Sequence, residues 1–316
     1  MIKPKQLKKG DTIGIVSPAS GLWERSALWS AIEFFENCGY QVKLAKNVYK
    51  NTFYFAGSDE ERAEGVRSMF EDDSVDAIFC TQGGYGSARI WKLIDFEMIK
   101  SNPKIFLGYS DITALHLAIQ KMTGLVTFHG PDLLDFSNQE RTPYKYDGLM
   151  KALTFDEPVG TIKMSQSNKY LVKIVPGRVT GPVIGGNISL ICGTMGTPYE
   201  IDTRGKILFI EDLDVEPWIM DHFLTHMLNA GKFHDAIGVV IGECVNCDPK
   251  KLYPGFYNQR SLENVIFEIF EPLGKPTILG LPIGHTKDIA TIPLGVQCEL
   301  DATKGEFRII EKGVIE

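Results

Sequence analysis

Residues 102–120 read NPKIFLGYSDITALHLAIQ, an unbroken apolar run, a sharp turn through Gly108 and Tyr109, and then an amphipathic helical pattern that starts right after Ser110. A short apolar run bounded by turn residues reads as a buried strand, and apolar residues at helical spacing read as a helix packed on it. The same strand, glycine turn and helix recur upstream in VDAIFCTQGGYGSARIWKLI, residues 75–94. Further back, DTIGIVSPAS is a strand, ERSALWSAIEFFENCG a helix closed by Gly39, and YQVKLA a strand. SDEERAEGVRSMFED then opens on Ser58 as N-cap with acidic residues in its first turn, as the exposed amides of a helix start prefer. This alternation over about 130 residues predicts a parallel sheet covered by helices on both faces. In such open sheets ligands gather at the carboxyl ends of the strands, where both QGGYGS (82–87) and GYSD (108–111) fall.

From Pro131 to about Tyr170 the pattern gives way to PDLLDFSNQERTPYKYDG, a short helix around Leu149, and SQSNKY, the composition of a linker or lid. Beyond it VTGPVIGGNISLICGTMG, the strand GKILFIEDLD, the helix EPWIMDHFLTHMLNAG, the strand AIGVVIGEC, the helix SLENVIFEIFEPLG and the strand PTILGLPIG restore an α/β order. Short strands around IATIPL, VQCELDA and GEFRIIE finish it. The expected division is residues 1–135, a linker over 136–170, and residues 171–316. A chain of 316 residues, 44% of them hydrophobic, holds enough apolar material for two cores. A formal net charge of -7 without clustered Lys and Arg argues against a nucleic-acid surface and for a small-molecule or peptide partner. The basic start meets only a brief apolar run before Pro18, without the h-region of a signal peptide, so no secretory leader is expected, and no apolar run is long enough to span a membrane. Six cysteines, mostly within apolar segments, read as reduced thiols of a cytoplasmic protein.

Ser110 reads two ways from its own stretch, as an N-cap of the following helix or as a nucleophile raised above a sheet on a strand-to-helix elbow. Ile112 stands where the G-x-S-x-G pattern has glycine. A serine nucleophile needs a base, an acid to orient it, and donors for an oxyanion. QGGYGS can supply backbone donors, because glycine permits positive φ and close approach, but it lacks the third glycine of a dinucleotide fingerprint. Among the six histidines, His116 is mid-helix, His234 follows a helix end, and His222 and His226 are four apart without the glutamate of H-E-x-x-H. His129 ends a strand in TFHGP and can reach a strand-end pocket; His285 stands in LGLPIGHTKD, on a loop free to present its imidazole. For the acid, ILFIEDLD offers Glu211, Asp212 and Asp214, and residue types alone do not choose among them. CVNC at Cys244–Cys247 lacks the second half of a zinc knuckle, so neither metal nor cofactor is expected.

LKKGDTIGIVSPAS, QGGYGSARI, NPKIFLGYSDITALHLAI, TFHGP, GPVIGGNISLI, LFIEDLDVEPW and GLPIGH, in that order, resemble the LD-carboxypeptidase family of serine peptidases, which includes murein tetrapeptide carboxypeptidases and microcin immunity peptidases. The resemblance covers nearly the whole chain. It implies a flavodoxin-like N-terminal domain with a parallel sheet, a β-rich α/β C-terminal domain, and a homodimer. It also implies a triad in which Ser110 is the nucleophile, His285 the base and Glu211 the acid, with the backbone N–H groups of Asp111 and Gly84 as oxyanion donors.

The activity implied is removal of terminal D-alanine from murein tetrapeptides, small peptides with a free C-terminal carboxylate. Arg89, after the glycine turn, is a candidate ion-pair partner for that carboxylate, and His129 a second candidate substrate contact. The nearest rival is an immunity-type peptidase that cleaves a peptidyl-nucleotide. Such an enzyme would want an aromatic platform for the base, and residues 165–178 offer only Tyr170. A cell-wall peptide-binding protein without activity is the alternative of another class; the intact triad positions speak against it.

Overall fold

The computed structural model describes residues 1–154, 157–168, 170–249 and 260–316. Its strands are β1 Thr12–Val16, β2 Gln41–Leu44, β3 Ala77–Cys80, β4 Ile105–Gly108, β5 Phe128–His129, β6 Gly160–Thr161, β7 Val172–Val175, β8 Arg178–Asn187, β9 Ile207–Glu211, β10 Gly238–Gly242, β11 Thr277–Leu281, β12 Ile292–Pro293, β13 Gln297–Asp301 and β14 Glu306–Ile309. The α-helices are α1 Arg25–Asn37, α2 Asp59–Glu71, α3 Phe96–Ser101, α4 Thr113–Thr123, α5 Pro143–Thr154, α6 Ile188–Thr194, α7 Pro217–Asn229, α8 Lys232–Asp235 and α9 Leu262–Phe270.

The first sheet runs β12-β5-β4-β3-β1-β2, parallel from β5 to β2. Its β2-β1-β3-β4-β5 order is that of flavodoxin-like folds, with the direction of winding switching between β1 and β3. β3 and β4 are buried on both faces, so their apolar runs do not alternate. The N-cap expected at Ser58 is present and forms a capping box: its Oγ accepts from Glu61 N at 3.3 Å and its N–H donates to Glu61 at 3.0 Å. The last strand comes from far along the chain. Ile292 pairs antiparallel with His129, so IATIPL, read as part of the second half, closes the first sheet instead.

The second sheet has eight strands in the order β6-β14-β13-β8-β9-β10-β11-β7. β8 to β11 are parallel and the flanking strands antiparallel, the α/β body and β-rich margin expected of this half. Along β9, Ile207 and Phe209 belong to the core shared with the first sheet, while Leu208 and Ile210 join the core under α6, α7 and α9. Burying one such side chain contributes about 1.5–3 kcal/mol, so the alternation fixes which face of β9 meets the first sheet. The linker composition around residues 136–170 contains more structure than its polarity suggests. α5 spans the helix expected around Leu149, and Lys145 on it is buried in an ion pair with Asp135 at 2.6 Å.

Candidate active site

The carboxyl ends of β3 and β4 face those of β8 to β11, and Ser110, Glu211 and His285 meet along that seam. Ser110 follows β4 at once. Its φ is +61°, left-handed for a residue with a Cβ, which costs on the order of 1–3 kcal/mol and is kept only where the surroundings enforce it. The helix does not begin at Asp111, as the sequence suggests; residues Ser110–Ile112 form a 3₁₀ turn and α4 starts at Thr113 with no side-chain cap from Ile112. Ser110 therefore does not cap α4. Its Oγ lies 2.8 Å from His285 Nε2.

His285 sits four residues past β11, and its Nδ1 is 2.8 Å from Glu211 Oε2. Glu211 ends β9, two residues after Phe209 and so on the same face, toward the first sheet. Asp212 points the other way and accepts from Asn187 Nδ2 at 3.0 Å and from the Ser189 hydroxyl. Strand alternation thus turns Glu211 toward His285 and Asp212 away from it. The carboxylate is fully buried, and its Oε1 has no hydrogen-bond partner among the described residues. Gly284, at φ +94°, leaves the space it needs: a Cβ there would stand 2.1 Å from Oε2. Burial pushes the His285 imidazole down, but the Glu211 hydrogen bond and the charges of Glu211, Asp212 and Asp135 more than offset this, leaving its pKa above 6.5.

The glycine turn lies against the elbow through Gly83, where a Cβ would come within 2.7 Å of Ser110 Cβ and 3.1 Å of Asp111 N. At Gly84, φ +98°, a Cβ would come within 2.3 Å of Ser20 Oγ. A tie that sequence reading missed joins these two segments. The buried Asp111 carboxylate accepts from Ser87 N at 2.7 Å, and its carbonyl accepts from the Ser87 hydroxyl at 2.5 Å. Burial raises the Asp111 pKa, against the lowering effect of hydrogen bonds from Ser87 and Gly86. The signal was present in the repeated glycine-rich turns after adjacent strands, but only their pairing gives Asp111 a partner. Arg62, also missed and fully buried, donates to the carbonyls of Pro18 and Gly86, each at 2.7 Å, and holds the turn from behind.

Arg89 lies outside this cluster. Its guanidinium is bound to Asp59 at 2.8–3.1 Å and rests 5.2 Å from the Phe55 ring, half exposed. His129 is fully buried, packed between Tyr109 (centroids 6.2 Å) and Phe209 (4.8 Å), so its imidazole is not at the surface. His116 is buried with Nε2 2.8 Å from the Gly108 carbonyl, a packing role. His222 and His226 lie on α7, and Cys247 Sγ is 3.9 Å from the Asp212 carbonyl behind the acid-bearing turn. A cleft of about 430 Å³ lined by Leu117, Lys121, Ile184 and Glu200 contains none of Ser110, Glu211 and His285.

The sequence matches the LD-carboxypeptidase N-terminal domain over residues 13–130 and the LD-carboxypeptidase C-terminal domain over residues 180–300. It is 42% identical to a "probable murein peptide carboxypeptidase" of Bacillus subtilis (strain 168), across 99% of this chain and 96% of that one. The fold is similar to that of the microcin C7 self-immunity protein MccF, with a TM-score of 0.91 and 26% identity over the full length of both chains; MccF has also been solved with glutamyl sulfamoyl guanosine. It is similar too to muramoyltetrapeptide carboxypeptidase from Oxalobacter formigenes, with a TM-score of 0.81 and 26% identity across 95% of this chain and 99% of that one.

Proposed function

The chain belongs to the LD-carboxypeptidase family, and from that premise we propose that it is a serine carboxypeptidase that releases the terminal D-alanine of murein tetrapeptides. The observation that carries the reading is the hydrogen-bonded chain from Ser110 Oγ through His285 to Glu211, with both contacts at 2.8 Å. His285 Nε2 takes the Ser110 proton as Oγ attacks the peptide carbonyl, and Glu211 holds the imidazole by its Nδ1–H and stabilises the imidazolium. The backbone N–H groups of Asp111 and Gly84 receive the oxyanion. His285 then gives its proton to the leaving D-alanine nitrogen, and water, deprotonated in turn by His285, releases the peptide from its ester on Ser110. On this reading residues 1–135 supply the nucleophile, 171–316 the acid and base, and 136–170 join them, in a cytoplasmic homodimer that binds peptide rather than nucleic acid.

The chemistry would serve equally for the amide of a peptidyl-nucleotide, and the close likeness to MccF keeps that substrate in view. The two are separated by offering tetrapeptide, pentapeptide and a peptidyl-nucleotide to one preparation. The wild type is expected to release D-alanine from the tetrapeptide, and Ser110→Ala to lower that rate by roughly 10⁴-fold or more. Absence of release by the wild type, or full activity in Ser110→Ala, would overturn the proposal.

A further inference from the structure

Three loops at the carboxyl edge of the first sheet leave large aromatic side chains in solvent. Trp23 after β1 is 93% exposed, Phe53 and Tyr54 after β2 are 91% and 57% exposed, and Tyr85 in the glycine turn after β3 is 55% exposed. A soluble surface seldom presents such a group without a use for it. The loops are fastened together: Tyr85 N donates to Ser20 Oγ at 3.0 Å, Gln82 Nε2 to the Gly21 carbonyl at 2.8 Å, and Gly21 N to the Tyr54 carbonyl at 3.1 Å. The rings of Tyr54, Phe55 and Tyr85 form one cluster, with centroids 4.4–5.9 Å apart. Phe53 is held at φ +57°, a strained setting of the kind found at ligand clamps.

The sheet order turns this cluster into an extension of the active site. Ser110 follows β4, the glycine turn follows β3, and the other two loops follow β1 and β2, successive neighbours in the sheet. With strands ~4.8 Å apart, the shelf runs about 15 Å outward from the serine and crosses the switch point between β3 and β1, where such sheets take ligands. A carboxypeptidase's leaving group is one residue, so an extended shelf belongs to the acyl side of the scissile bond. Flat, exposed aromatic rings suit the C–H face of a saturated sugar ring, and the phenol O–H groups of Tyr54 and Tyr85 suit its hydroxyls.

We propose that Trp23, Phe53, Tyr54 and Tyr85 form an acyl-side subsite for the amino-sugar ring of a saccharide-bearing muropeptide, an inference that rests on the murein-peptide reading above. The test compares muramoyl-tetrapeptide with the free tetrapeptide, using Trp23→Ala and Tyr54→Ala, whose exposed side chains can be removed without disturbing the core. For each variant KM for the muramoyl substrate should rise on the order of fivefold to tenfold, the worth of one stacked ring, while kcat/KM for the free peptide stays within twofold. Equal effects on both substrates, or none on either, would overturn the subsite. A variant that dissociates into monomers in sedimentation velocity overturns it too, assigning the shelf to a second copy of the chain. Titrating Ser110→Ala with muramoyl-tetrapeptide, and following a ligand-induced change in tryptophan fluorescence that Trp23→Phe abolishes, tests the shelf independently of turnover. A wild type that cleaves neither substrate but whose Ser110→Ala form binds through Trp23 refutes the activity and keeps the shelf; the absence of a Trp23 signal refutes the shelf.

Discussion

At the scale of single residues the decisive group is His285, whose protonation links activity and stability with opposite signs. Its folded pKa lies above 6.5, because the Glu211 hydrogen bond and nearby carboxylates outweigh burial. As the proposed base it works only when neutral, so kcat/KM should fall as pH drops through that raised value, with the acid limb centred above pH 6.5. The protonated, paired imidazole stabilises the fold fully below its unfolded pKa, and this contribution is lost as pH rises through the folded pKa. A kcat/KM profile whose acid limb centres below pH 6.5 would contradict the assignment. Ser110 and Gly284 are residues whose use could not be read from type alone. The left-handed φ of Ser110 and the close approach of Glu211 to Gly284, which leaves no room for a Cβ, exist only once the strands around them are packed.

At the scale of elements, two strand-turn-helix units work as one. Asp111 is an ordinary first-turn acid in the sequence, yet it holds the neighbouring glycine turn by accepting from Ser87 N at 2.7 Å. Asp111→Ala would leave that buried N–H unpaired and should cost about 1–3 kcal/mol in urea unfolding. With the turn released from the elbow, kcat should fall tenfold or more while Asp111→Asn, which keeps an acceptor oxygen, recovers part of both losses. An Asp111→Ala enzyme with unchanged kcat would show that the glycine turn has no part in catalysis. The elements themselves were largely legible. Apolar runs gave β3 and β4, Ser58 gave the start of α2, and Gly39 gave the end of α1, since each of these signals acts within a few residues. Two-residue β12 was legible only in part: nothing in IATIPL tells it to pair with His129 rather than with its own neighbours.

At the scale of the whole molecule the site depends on how closely the two sheets meet. Gly186, at φ +144°, lies so near Thr113 at the start of α4 that a Cβ would come within 2.5 Å of its Oγ1, and the next residue's N–H donates to that oxygen at 3.0 Å. Gly186→Ala should therefore wedge the seam open. The expected result is a fall in kcat of tenfold or more with far-ultraviolet circular dichroism unchanged, because each sheet survives while Ser110 draws away from His285. Unchanged kcat in that variant would mean that the seam tolerates movement.

The sequence by itself determined the α/β alternation, the strand-end positions of the serine and the glycine turn, and, through the ordered motifs, the family. These rest on local rules of periodicity, capping and glycine geometry that operate within one strand or one turn of helix. Tertiary structure alone decided that Ser110 is not a cap, that Arg89 is bound to Asp59, and that the aromatic loops lie in line with the serine, and it supplied the physical reason why Glu211, the acid that the ordered motifs imply, faces the histidine while Asp212 does not. Ser110 and His285 are 175 positions apart, and Glu211 and His285 are 74 apart. What brings them within 2.8 Å is the order of strands and the face each strand turns to its neighbour, quantities to which no short stretch of chain has access.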